Sequence, residues 1–307
     1  MKKEKTQKSR PAEPCVKNVK RSGASLEKAY EVRAAHICEK ARDTVRNTDG
    51  QKLFEELPGL FPDLIASLAC EPEPGSPLDR EIAFSAAAVT CSDGMLAARF
   101  LRKEAGYPDI PAAYFNTDAE KPEGERIAYF KNPLADDAFA RFSERMASPS
   151  VSYAQDLRSV CEAVYYEKAA YGILPLYSSR DGRLSGFYGL VDKYELFVVG
   201  QCSVYSSDNE TATRFALLSK HPNNGASVKG KELFFEFRIP HDGKTLAMLL
   251  AASAYFELAN VSVDSLPAET KNADVLIFKG KGEAVCDMLF YLYCLDIQYT
   301  LIGVYPE

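Results

Sequence analysis

Histidine is scarce in this 307-residue chain, limited to His36, His221 and His241. The eight cysteines, at 15, 38, 70, 91, 161, 202, 286 and 294, stand singly without any C-x-x-C pair. A zinc site draws its ligands from such residues at close spacing, so neither a metal nor a cofactor is expected. Most of the cysteines have apolar neighbours, as in Ala69-Cys70 and Tyr293-Cys294-Leu295. A free thiol in that setting is a small core residue, so they are expected to be reduced and structural. No run approaches the roughly 18 apolar residues that span a bilayer. An excess of basic charge is missing as well: the formal net charge is -6 and the pI near 5.4, which argues against a nucleic-acid surface. Neither G-x-S-x-G nor G-x-G-x-x-G occurs. Gly243-Lys244-Thr245 looks like the end of a phosphate-binding loop, but Arg238 stands where that loop needs its first glycine.

What is present suits a soluble globular protein of two or three domains, with 46% hydrophobic residues to build cores. Residues 1–23 carry eight Lys or Arg against Glu4 and Glu13 and lack the apolar core of a signal peptide. They read as a disordered basic leader, and the protein as cytoplasmic.

From about Ser25 to Gly106 the pattern is helical. Ser25 can cap a first helix, whose imperfect apolar face is Tyr30, Val32, Ala35, Ile37 and Val45, and Asn47-Thr48-Asp49-Gly50 ends it. A second helix is expected over Gln51 to Cys70, with Pro58 and Pro62 kinking or dividing it. Glu71 to Pro77 is a linker by composition, and a third helix is expected between Leu78 and Ala105, with a break at Ser92-Asp93-Gly94.

After Thr117 to Glu125 the pattern becomes α/β. Strands are expected at Arg126–Phe130, Val151–Tyr153 and Ala170–Pro175, with helices at Asp136–Ala147 and Ala154–Lys168. The continuous apolar run of the third strand fits a buried parallel position. A short helix at Gly186–Val191 and a strand at Leu196–Val199 follow. The last third reads βαββαβ: strand Leu233–Ile239, helix Lys244–Leu258, strands Val261–Leu266 and Val275–Lys279, helix Glu283–Cys294 and strand Gln298–Val304.

Three segments carry a family resemblance: Tyr171-Gly-Ile-Leu-Pro175, Thr213-Arg214-Phe215, and the closing third with Asp242-Gly243-Lys244-Thr245-Leu246, Asp264-Ser265-Leu266-Pro267 and Leu301-Ile-Gly-Val-Tyr-Pro306. Together they resemble a prephenate dehydratase ending in a ligand-sensing ACT domain. The helices ahead of it are similar in position to the chorismate mutase domain fused to that enzyme, with Arg33, Lys40, Arg42 and Arg46 as cations of the right type. A helical packing or oligomerisation domain is the other reading. The resemblance implies an α+β multidomain protein: a helical region over 24–116, an α/β dehydratase-like lobe over 126–222 similar to periplasmic binding proteins, and an ACT domain over 231–307. The interval from Ser178 to Thr213 is several dozen residues shorter than in the family, which implies a truncated second lobe.

The implied activity is conversion of prephenate to phenylpyruvate, water and carbon dioxide in phenylalanine biosynthesis. Thr213 would be the proton donor, with Ser178, Ser179, Arg180, Arg214 and Phe215 around the substrate. Several family features are replaced. Lys131 and Leu134 occupy glycine positions of the first turn, Asp136 and Asp137 would repel an anion, and the Glu-Asn-Ser segment reads Tyr177-Ser178-Ser179-Arg180. Arg180 is either a carboxylate clamp or a solvated loop residue. Catalysis is therefore expected to be impaired or lost, and Thr213 half-exposed on its strand without an enclosed pocket. The ACT domain is expected to bind an aromatic amino acid such as phenylalanine through Gly243, Leu246, Asp264, Ser265, Leu266 and Pro267, or to serve dimerisation alone, with Leu266 in place of the family's arginine. A homodimer or larger is implied; no nucleic acid or membrane partner is expected. The alternative function is an amino-acid-binding regulatory protein acting through this domain.

Overall fold

The structure is a computed structural model that describes residues 34–48, 53–68, 93–104, 125–184, 186–206, 211–222, 231–266 and 272–306. The basic leader, the Ser25 cap, Arg33, the linker at 71–77, Pro267, Cys15, Cys70 and Cys91 lie outside them. Three helices come first: α1 (34–47), α2 (Leu53–Leu68) and α3 (93–104). An α/β stretch follows with β1 (Glu125–Phe130), α4 (Pro133–Ser143), β2 (Pro149–Ala154), α5 (Leu157–Tyr165) and β3 (Tyr171–Ser178). Then come β4 (Gly182–Arg183), α6 (Phe187–Lys193), β5 (Phe197–Tyr205) and β6 (Ala212–Ser219). The last stretch is β7 (Glu232–Pro240), α7 (Gly243–Tyr255), β8 (Ala259–Leu266), β9 (Ala273–Lys281), α8 (Gly282–Cys294) and β10 (Thr300–Pro306).

All the strands join one mixed sheet in the order β2-β1-β3-β6-β5-β10-β7-β9-β8, with β4 pairing β3. β1 runs parallel to β2 and β3, whereas β6 is antiparallel to both β3 and β5. The second half, β10-β7-β9-β8, is antiparallel throughout. The stretch from Ser178 to Thr213 adds no second lobe of its own within the described residues; β4 and β5 extend the same sheet and α6 covers it.

The two halves meet where β10 runs parallel to β5, with Gly303 opposite Val198. A Cβ on Gly303 would fall inside contact distance of the Val198 carbonyl oxygen. Only glycine lets two backbones approach this closely. Next to this seam lies a buried polar network. Glu236 of β7, fully buried, accepts hydrogen bonds from Tyr188 of α6 and from Tyr305 of β10 at 3.0 Å. Gln201 of β5 donates to the Tyr305 hydroxyl at 2.6 Å. Burial pushes the Tyr305 phenol well above its ordinary range, and the neighbouring Glu236 carboxylate adds to the shift. An Asp192–Arg238 ion pair fastens the other end of α6 to β7.

Both α7 and α8 pack on one face of the second half, against Leu233, Phe235 and Phe237 of β7. The outer side of α8 is covered in turn by Ile37, Ala41, Leu57, Phe61, Leu64, Met95 and Leu101 of the first three helices. This explains the sequence GEAVCDMLFYLYC, apolar on nearly every side: a helix covered all round needs no polar stripe. Its one deep acid, Asp287, receives Arg102 Nε at 2.6 Å and Arg99 Nε at 2.9 Å. On the opposite face of the sheet, α5 approaches β3 so closely that a Cβ on Gly172 would lie 2.9 Å from methyls of Val160 and Val164.

Several element boundaries differ from the sequence expectation. α4 begins at Pro133 rather than Asp136, because Asn132 caps it by accepting from Ala135 N at 2.9 Å and proline suits the first helical position. α5 begins after Asp156, whose Oδ1 accepts from Ser159 N at 2.7 Å. α2 is one continuous helix despite its prolines: Pro62 is exposed and Pro58 half-exposed, while Leu57, Phe61 and Leu64 on the opposite side are buried. The described cysteines 38, 161, 202, 286 and 294 form no disulfide. Burial pushes the Cys161 thiol up to about 12 and Cys202 to about 11, which disfavours the reactive thiolate. Among the described residues no helix is long and apolar enough to cross a membrane.

One residue beyond the cap of each of α5, α6, α7 and α8 the backbone turns left-handed, at Glu167, Glu195, Glu257 and Asp296. Glycine is the favoured residue there, and an acid is also poorly placed at the negative end of a helix. Glu195→Gly is expected to raise stability by about 1 kcal/mol, while Gly303→Ala should cost about 2 kcal/mol or more through overpacking at the seam. Thermal or denaturant unfolding of the two variants checks both signs.

Candidate functional site

The parallel strands β1, β2 and β3 all end at one edge of the sheet, where antiparallel β6 begins. Crevices at such strand ends are where open α/β sheets take ligands. Thr213 lies there, paired with Ser178 on one side and Val204 on the other. It is buried, at 8% exposure, which corrects the expectation of a half-exposed side chain. The cause is its face of the sheet: Val204, Phe215 and Leu217 point the same way, into the core beneath α4.

The neighbouring hydroxyls are occupied. Ser178 Oγ accepts from Arg180 N at 3.2 Å and Asp181 N at 3.4 Å and donates to Asp181 Oδ2 at 3.3 Å, so it holds the turn together. Ser179 Oγ accepts from Ala212 N at 2.9 Å, and its own N–H donates to Ala212 O at 2.8 Å. Arg180 is exposed on the turn. Side chains alternate along a strand, so Arg214 projects to the face opposite Thr213, where its guanidinium stands 5.7 Å from the Tyr177 ring. Phe215 returns to the core at 2% exposure. Of the six residues expected around a substrate, the structure brings Ser178 and Thr213 side by side with Phe215 on the same face, and leaves Ser179 and Arg180 in the turn and Arg214 on the other face.

The turn after β1 is also committed. Asp136 accepts the Tyr129 hydroxyl at 2.7 Å, so its carboxylate is engaged rather than directed at an incoming anion; Asp137 is exposed. Burial drives the Tyr129 phenol far upward, with Asp136 contributing, which leaves it a donor at any ordinary pH. In the helical region Lys40 and Arg46 are exposed, and Arg42 pairs with Glu104 at 3.7 Å across to α3. These three cations do not converge.

At the other half of the sheet, the end of β7, the start of α7 and the end of β8 come together around the start of β9. Asp242 caps α7, accepting from Thr245 N at 3.0 Å and Lys244 N at 3.3 Å. Gly243 is exposed, Leu246 packs on the core beneath α7, and Leu266 packs on the core of the opposite face. Asp264 is half-buried. Ser265 donates at 2.6 Å to Asp274, which is fully buried and also holds His241 Nδ1 at 2.9 Å. The sequence reading missed the Asp274 and Glu236 sites. The available signal was an acid inside an otherwise apolar strand, as in Leu233-Phe-Phe-Glu236-Phe-Arg-Ile239.

Two variants test these assignments. Thr213→Val exchanges a shut-in hydroxyl for a methyl of similar size and should change stability by about 1 kcal/mol or less in denaturant unfolding. The Asp242 carboxyl is held below its usual value by its bonds to Thr245 and Lys244. A depressed folded pKa gives stability above the unfolded value and loses it as pH falls through the folded one. The stability advantage of the wild type over Asp242→Asn should therefore be present at neutral pH and be lost in acid, as pH falls through the lowered carboxyl pKa, as read by unfolding titrations at both.

No family model matches this chain, and no curated protein matches it. Solved structures do. A prephenate dehydratase from Streptococcus mutans is 17% identical, with a TM-score of 0.50 over 60% of this chain and 98% of its own. GqqA, described as a novel type of quorum quenching acylase, is 19% identical with a TM-score of 0.47 over 60% and 95%. A prephenate dehydratase from Arthrobacter aurescens in complex with L-Phe is 11% identical with a TM-score of 0.45 over 59% and 90%. The Streptococcus mutans match gives this chain a fold like that of a prephenate dehydratase.

Proposed function

We propose that this chain is an amino-acid-responsive regulatory protein, descended from a fused chorismate mutase–prephenate dehydratase that has lost its turnover. In this reading residues 231–307 are an ACT domain that binds an aromatic amino acid such as phenylalanine, with Gly243, Leu246, Asp264, Ser265, Leu266 and Pro267 as its contact residues. Residues 126–222 are the dehydratase-like remnant, 24–116 a helical packing region, and the protein works in the cytoplasm as a homodimer or larger. The observation that carries the loss of catalysis is Thr213. It is buried at 8% exposure between Ser178 and Val204, while Arg214 leaves on the other face of the strand. A dehydratase must hold two carboxylates and hand a proton to a leaving hydroxyl. A threonine shut into a sheet, next to a serine whose hydroxyl is spent on its own turn, has no room for that substrate.

The dehydratase reading keeps one point in its favour, since Thr213 and Ser178 do stand side by side at the ligand-binding edge of the sheet. Prephenate turnover separates the two. Purified protein is expected to form no phenylpyruvate above the level of Thr213→Ala, and to bind at least one aromatic amino acid in calorimetry at millimolar concentration. Turnover within about tenfold of ~10 per second, abolished by Thr213→Ala, would restore the enzyme. Sedimentation at the 33.9 kDa of a single chain would remove the dimer.

A further inference from the structure

A cavity among the described residues lies in the other half of the molecule from Thr213. It lies between α3 and the corner where α7 ends and α8 begins, with a volume of about 560 Å³. Arg99 and Lys103 of α3, Glu257 after α7, and Lys281, Glu283 and Asp287 at the start of α8 line it. This is the end of the sheet opposite Gly243 and Ser265, because Lys281 closes β9 whereas Asp274 opens it. Its charges are of both signs and only partly spent on one another. Lys103 pairs with Glu283 at 3.3 Å.

Arg99 is the best-fixed of these groups. Its Nε donates to the buried Asp287 at 2.9 Å, and its guanidinium lies 5.2 Å from the Tyr255 ring and 5.3 Å from Phe256. Asp287 is already held by Arg102 at 2.6 Å, so it does not need the rest of the Arg99 fork. Neither Nη group of Arg99 bonds to a described residue. A guanidinium anchored through Nε and stacked on rings is preorganised to offer its terminal N–H pair to a carboxylate. Lys281, the residue before α8, makes no described ion pair and does not cap the helix with its side chain, so the first N–H groups of α8 add to the positive side.

Glu257 supplies the opposite charge. Its left-handed backbone, φ 62°, is shared with the other helix ends and belongs to the way these helices stop. What sets it apart is its place: it lines the cavity next to Phe256, at the negative end of α7, and no described cation reaches its carboxylate. A carboxylate in that position attracts an ammonium group. The cavity thus holds a fixed guanidinium fork and an uncommitted carboxylate joined to adjoining residues of one corner, since Arg99 stacks on Phe256 and Glu257 follows it.

From this arrangement we propose that the cavity binds a small zwitterion of the α-amino-acid class, its carboxylate on Arg99 and its ammonium on Glu257. The ligand class is that of the proposed function, but the site is a different one and stands on its own geometry. Occupancy would tie α3, and with it the helical region, to the corner of α7 and α8.

Calorimetric titration of the full chain with each of the twenty common amino acids tests this. Four variants accompany the wild type: Arg99→Gln and Glu257→Gln in the cavity, Gly243→Val and Asp264→Asn at the far end. Arg99→Gln leaves Arg102 on Asp287, and Glu257→Gln changes an exposed side chain, so at least the second keeps the fold, as circular dichroism will show. The expected result is two independent binding events: one that weakens roughly tenfold or more in both cavity variants and is untouched by Gly243→Val and Asp264→Asn, and one at the far end that those two variants weaken. A single event weakened only by the cavity variants would uphold the inference and remove the ACT reading. A single event, lost in Gly243→Val or Asp264→Asn and untouched by Glu257→Gln, would overturn the inference and leave the ACT reading standing. Silence across all twenty would overturn both.

Discussion

Everything distinctive about this fold depends on the close passage of β10 against β5. Gly303 brings the backbone of β10 against the Val198 carbonyl with no room for a side chain. Through that contact a mixed α/β sheet and an antiparallel one become a single continuous sheet, with β10 an interior strand. The seam then explains its surroundings. Glu236 can remain buried because Tyr188 and Tyr305 both donate to it, and these come from α6 and β10, which only the seam brings together. A buried carboxylate deprived of such partners is costly, so the network ties the two halves as firmly as it depends on them.

The second organising feature is α8. Covered by the sheet on one side and by α1, α2 and α3 on the other, it is the middle layer of the second half of the molecule. Its apolar sequence makes the helical region a structural necessity for the sheet, whatever else that region does. The Arg99, Arg102 and Asp287 cluster is the buried charged contact of that interface, with Lys103–Glu283 at its rim, and together they fix how α3 lies. Of these residues, Arg99 and Lys103 from α3 and Glu283 and Asp287 from α8 line the cavity at the α7–α8 corner.

Around Thr213 the pleat of the strand decides more than the motif does. Thr213-Arg214-Phe215 is intact as a sequence, yet consecutive residues of a strand face opposite sides, and each face here belongs to a different core. Ser178 reaches Thr213 because antiparallel partners share a face, and Ser179, one residue on, does not. Val204, Phe215 and Leu217 fill the face that Thr213 shares, and the turn closes on Ser178, so that the threonine is buried.

The order of elements was legible in the sequence because hydrophobic patterning is local: Leu233–Ile239 alternates with period two, and the continuous apolar runs at Ala170–Pro175 and Glu283–Cys294 are told apart as strand and helix by their lengths. Caps were legible in principle too, since Asn132 before Pro133 and Asp242 before Gly243 are local signals; the first was read one turn late. Burial of Thr213 was not legible, because it depends on Val204 and Ser178, which lie 9 and 35 residues away along the chain and are neighbours only through sheet pairing. The partners of Glu236 and Asp274 were hidden for the same reason. What the sequence by itself determined is the kind of element each segment forms and the acids and glycines that break its pattern. Which strands stand next to each other, and so which side chains meet, was decided only in the tertiary structure, because hydrogen bonding between strands carries no side-chain code and the seam at Gly303 is set by the packing of the whole sheet.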